Sequence, residues 1–92
     1  MVRRERWLII ANILEAIDHQ WKTYGDAARV TNVGLRANIS YNRLVSYLEE
    51  LTHAGLITEE PMPKLTQKGH DFLRAYRQWI ETLDRFGVGE IT

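Results

Sequence analysis

With 92 residues, the chain is long enough for one modest domain, and a core of that size leaves room for a partner subunit to add to it. Its Lys and Arg equal its Asp and Glu in number. This excludes a general nucleic-acid coat, because surplus basic residues supply nearly all non-specific affinity for phosphate, but leaves open a reader with a local basic face. Cysteine is absent, which removes disulfide frameworks and thiolate metal sites and fits a reducing compartment.

The apolar run Trp7 to Ala11 is far short of the roughly 20 residues that a membrane span needs. It follows Arg3, Arg4 and Arg6 with no cleavage-like segment after it, so neither a membrane nor an export route is expected, and a cytoplasmic location is. From Arg3 to about Gln20, residues Trp7, Ile10, Ala11, Ile13, Leu14 and Ile17 share one broad face, with Glu5, Asn12, Glu15 and His19 opposite. This spacing predicts an amphipathic first helix. Leu8 lies off that face and Ile9 at its margin, which predicts a second contact surface on the same helix.

A polar connection, His19 to Gly25, comes next, with Asp26 as the expected N-cap of a second helix lying somewhere within Ala27–Ala37. Val30, Val33 and Ala37 point inward in this reading. Gly34 in the interior costs about 1 kcal/mol relative to Ala, which a close helix approach would explain. Asn38 and Ile39 form a turn, Ser40 caps a third helix running to Ala54, and Gly55 is the expected left-handed residue that closes it. On a wheel of about 100° per residue, Tyr41, Leu44, Val45, Leu48 and Leu51 fall on the inward arc with Tyr47 at its edge. Asn42, Arg43 and Ser46 point outward from the first half, Glu49, Glu50 and His53 from the second.

After Gly55 the period changes. Leu56 to Thr58 reads as a short strand, Glu59 to Pro63 as a tight turn in which the prolines forbid helix, and Lys64 to Thr66 as a return strand. Thr66 then caps a last helix from Gln67 to about Phe86, ended by Gly87, Val88 and Gly89. The fold class is therefore mainly α (α+β): a winged helix-turn-helix with a short two-stranded wing and a long C-terminal helix.

Helices two and three make a helix-turn-helix, in which the first half of the second helix enters the major groove. Asn pairs with adenine, Arg with guanine, and Ser with several base edges or a phosphate. The amides beside Ser40 suit a phosphate. The expected DNA-contacting set is Arg36, Ser40, Tyr41, Asn42, Arg43, Ser46 and Lys64, the last being the one basic residue of the wing. Glu49 and Glu50 oppose phosphates and require the second half of the helix to tilt outward.

In the last helix, Gly69, Phe72, Tyr76, Trp79, Leu83 and Phe86 recur at alternating spacings of three and four, broadened by Leu73 and Ile80. That repeat is a coiled-coil seam. Leaving the later members wet forgoes about 1.5–3 kcal/mol per side chain. Phe72, Tyr76, Trp79, Ile80, Leu83 and Phe86 are therefore the expected dimer interface, with fold-back over the core as the alternative. Residues 1–70 are read as the DNA-binding domain and 71–92 as the dimerisation helix and tail.

His19, His53 and His70 are widely spaced, and no phosphate loop or nucleophile motif occurs. No enzyme, cofactor or metal is expected. The expected partner is double-stranded DNA, bound by a homodimer. The competing reading is a protein-interaction winged helix within a larger assembly, favoured by the neutral balance, the exposed acids and the stubby wing.

The run TNVGLRANISYNRLVSYLEELTHAGLI, followed by LTQKGHDFL, resembles an archaeal winged-helix group that includes small dimeric DNA-binding proteins and transcriptional regulators. Thr31, Val33, Ala37, Asn38, Ile39 and Ser40 match the first part of the group's pattern. Tyr47, Leu48, Leu51, Gly55, Leu56 and Ile57 match the second, and Leu65, Thr66, Gly69, Phe72 and Leu73 the third. The resemblance spans Thr31 to about Phe86 and implies DNA binding through the third helix, with antiparallel dimerisation through the last. The chain departs from the group in a longer connection between its first two helices, a clipped wing and its neutral balance.

Overall fold

One helix carries the largest share of the core. In the computed structural model, which describes residues 4–25, 28–59 and 62–87, α1 runs from Arg4 to Tyr24. Ile10, Ile13, Leu14 and Ile17 lose nearly all their surface along it, with Ala11 and Ala16 between them allowing close approach. At about 1.5–3 kcal/mol for each large side chain, this face is the largest single source of stability on any one element.

α1 extends past Gln20 into the expected polar connection, because tertiary contacts hold that stretch helical. The Trp21 indole donates to the carbonyl of Pro63 at 2.7 Å. Gln20 is buried, and its Oε1 accepts the Arg29 amide at 3.4 Å. Lys22 pairs with Asp18 one turn back at 2.8 Å. Trp7 departs from the wheel in the other direction. It sits at the outer end of α1, beyond the reach of the core, and is 43% exposed, with its ring stacked on Phe72 at 6.2 Å.

α2 spans Val30–Ala37 and buries Val33, Gly34 and Ala37. Asp26 lies outside the described residues, and the N-cap position belongs to Arg29, in an extended conformation without a side-chain capping bond. α3 spans Tyr41–His53. Its end has the hydrogen bonds of a Schellman closure: the Leu56 amide returns to the Leu51 carbonyl and the Gly55 amide to that of Thr52, both at 3.0 Å. Gly55 takes φ +80, which only glycine adopts without penalty.

The wing is an antiparallel pair, β1 (Ile57–Thr58) and β2 (Lys64–Leu65), with Ile57 opposite Leu65 and Thr58 opposite Lys64. Ile57 and Leu65 face the core while Thr58 and Lys64 face solvent, the alternation that strand geometry imposes. Each strand is shorter than its sequence run because its end residue has another task. Leu56 closes α3, and Thr66 starts α4, which spans Gln67–Arg85.

The start of α4 is bolted to the end of α3. The Thr66 hydroxyl accepts the Gly69 amide at 3.1 Å and donates to the Gly55 carbonyl at 2.7 Å. The Lys68 ammonium reaches the Ala54 carbonyl at 2.7 Å, so both bonds satisfy carbonyls that a helix terminus leaves open. Gly69 lies directly against the Leu56 carbonyl, leaving no room for a Cβ. Further along, Leu73 is buried and Arg77 faces Glu15 of α1 at 3.6 Å. Val88 and Gly89, read as part of the helix stop, lie outside the described residues.

Substituting Gly69→Ala should therefore lower folding stability by about 1–3 kcal/mol, since the carbonyl that must shift is backbone. The expected result is a lower urea midpoint, although alanine favours helix.

Candidate nucleic-acid interface

The helix-turn-helix geometry is set where α2 meets α3. A Cβ on Gly34 would lie 3.2 Å from Leu44 Cδ2, tighter than ordinary contact; with glycine there, Leu44 seats fully buried. Asn38 ends α2 in the left-handed region, φ 60 and ψ 46, which asparagine tolerates better than most residues. The Ile39 amide returns to the Gly34 carbonyl at 3.1 Å. Ser40 then caps α3, its Oγ accepting the Arg43 amide at 3.4 Å. The turn thus aims the N-terminal half of α3 outward.

Asn42, Arg43 and Ser46 all lie exposed on that half. The Ser46 hydroxyl donates to the Asn42 carbonyl at 3.4 Å, keeping its lone pairs available to a donor. The buried arc of α3 is narrower than the wheel placed it. Leu44 and Leu51 are buried and Val45 and Leu48 only half-buried, while Tyr41 is 58% exposed. Tyr41 is the first residue of the helix, in a turn that overhangs the core, so its ring joins the outward edge instead of the inward face. Arg36 is exposed on the last turn of α2. Lys64 stands apart from this group in its contacts, its ammonium 5.4 Å from the centre of the Trp21 ring.

Sequence reasoning missed Arg6 as part of this region. From the first turns of α1 it forms an ion pair with Glu50 of α3, and its guanidinium lies 5.9 Å from the centre of the Tyr47 ring. The two residues stand 44 apart in the chain, so no local spacing signals the pair. The hydrogen bond from Arg6 holds the Glu50 carboxyl below its ordinary value and raises Arg6 in turn. Glu49 and His53 are exposed on the second half of α3. Leu35 of α2 was also unremarked in the sequence; it is 78% exposed.

On α4 the apolar stripe outruns the core. Phe72, Tyr76, Ile80 and Leu83 are half-buried, but Trp79 is 58% and Phe86 74% exposed. A groove of about 360 Å³ between α1 and α4 contains Lys22, Arg74 and Arg77, each already paired with an acid: Asp18, Asp71 and Glu15. Among the described residues, no group of three His, Asp or Glu is placed to hold a metal, and no helix is long and apolar enough to cross a membrane.

Because the folded-state value of Glu50 is lowered, the pair's contribution is complete above the ordinary carboxyl value of 4.5 and is lost as pH falls below it. Urea midpoints measured from pH 6 down to pH 3 should therefore fall more steeply for the native chain than for Glu50→Gln. Parallel curves would show that the pair contributes nothing to folding stability.

No curated protein matches the chain. The model of a winged helix-turn-helix family matches residues 3–84, from before the first described turn of α1 almost to the end of α4. That span takes in the helix-turn-helix, the wing and the helix after it, and the chain belongs to this winged helix-turn-helix family.

Proposed function

We propose that the protein binds double-stranded DNA as a homodimer and regulates transcription, reading the major groove with the first half of α3. The observation that carries this reading is the outward edge of Asn42, Arg43 and Ser46, offered by a helix whose opposite face is locked by Leu44 and Leu51. Asn and Arg there match adenine and guanine edges. Ser40 and Arg36, exposed at the start of α3 and on the last turn of α2, are read as phosphate contacts, and Tyr41 adds an exposed ring at the start of the helix. Lys64, held over Trp21, serves as a phosphate contact close to the body. Membership of the winged helix-turn-helix family supports the same partner.

Residues 1–70 supply the reading unit and 71–92 the dimer element. Trp79 and Phe86, with Phe72, Tyr76, Ile80 and Leu83 beside them, form the apolar surface that a second copy covers. A two-fold pair presents two α3 helices to successive major grooves, about 34 Å apart. The second reading, a protein-interaction module in a larger assembly, draws on the exposed Leu35 and the zero charge balance.

Two measurements separate these readings. In fluorescence anisotropy with duplex DNA at low salt, Arg43→Ala and Asn42→Ala should each weaken binding by about tenfold, the worth of one good base contact, with unchanged thermal midpoints. A native chain that binds no duplex leaves the protein-interaction reading ahead. In sedimentation equilibrium, the native chain should run at twice its chain mass and the Trp79→Ser, Phe86→Ser double variant as a monomer; a native monomer removes the dimer.

A further inference from the structure

The Arg6–Glu50 pair joins the outer turns of α1 to the second half of α3. The pair is at the surface, with side-chain exposures of 46% and 45%, and such pairs contribute little to stability. Its position is more informative than its strength. Glu50 follows Ser46 by one helical turn and Arg43 by two, so its carboxylate stands on the same flank of α3 as the outward edge. Seven residues of helix amount to about 10 Å. That equals roughly one Debye length at 0.1 M salt, within which a free carboxylate repels the phosphates that Arg43 approaches.

Arg6 meets this carboxylate from the α1 side. Its guanidinium packs near the Tyr47 ring, one turn before Leu51 on α3, while its Nη2 donates to Glu50 Oε2. The carboxylate is thereby drawn toward the protein body. Glu49, the neighbouring acid, has no ion-pair partner among the described residues, so Glu50 is the acid of this helix that the fold restrains.

We propose that Arg6 is a positioning residue for duplex binding, acting through Glu50: it holds the Glu50 carboxylate against α1 and off the phosphate-facing flank of α3. This inference rests on the DNA reading above. Arg6 need not touch the duplex, and its effect disappears when Glu50 carries no charge.

A double-mutant cycle tests this, using the full chain and one duplex. Arg6→Ala should weaken binding by about two- to fivefold at 0.1 M salt, the scale of one exposed charge at this range. In the Glu50→Gln background the same Arg6→Ala change should alter affinity and salt slope little, and Arg6→Lys in the native background should retain most of the affinity. Circular dichroism melts of all variants verify that each is folded at the assay temperature. An equal loss in both backgrounds, with the salt slope reduced by about 0.9, means that Arg6 contacts a phosphate itself and overturns the proposal. So does no loss in either background. If the native chain binds no duplex, the DNA reading fails and this inference with it; if it binds and the cycle shows no coupling, only this inference fails.

Discussion

The contact between Leu44 and Gly34 is the constraint on which the rest of the structure depends. A helix-turn-helix is useful only if its second helix leaves the body at a fixed angle, and that angle is set by how closely the two helices approach. With no Cβ at Gly34, the Leu44 side chain enters the space between α2 and α3 and becomes fully buried. Glycine in a helix interior is costly, so the short α2 is stabilised chiefly by what it packs on, through Val33 and Ala37. The left-handed Asn38 and the Ser40 cap then need to close only a short turn. Every outward residue of α3 inherits its direction from this joint.

α1 provides the wall behind that joint. Its buried face is broad enough to receive α2, the base of the wing and α4, and its outer turns carry secondary contacts of differing character. Trp7 covers Phe72 at one end, while Trp21 grips the wing through Pro63 and Lys64 at the other. The wing is thus pinned at its base. Two residues per strand leave little to project, which matches the clipped run between Leu56 and Thr66 in the sequence.

Most of the fold was legible because local signals and burial agree. Ser40, Gly55 and Thr66 mark helix ends by mechanisms that depend on near neighbours in the chain, and each occupies the expected position. What escaped was decided by distant contacts. The last turn of α1 is polar by pattern, yet it is sustained by Trp21 reaching Pro63 and by Gln20 reaching Arg29. Tyr41 satisfies the wheel, but the first turn of a helix can overhang the core that the wheel assumes. For the candidate site, Asn42, Arg43 and Ser46 followed from periodicity alone. The neutralisation of Glu50 by Arg6 did not, because a surface ion pair between remote segments leaves no periodic trace.

The bolted junction between α3 and α4 has a mechanical consequence. Thr66, Lys68 and Gly69 all engage the backbone of residues 54–56, so the two helices meet in a stiff elbow with no slack linker between them. The start of α4 is thus registered to the end of α3, and the exposed Trp79 and Phe86 on its distal turns stand at a fixed lever arm from the outward edge.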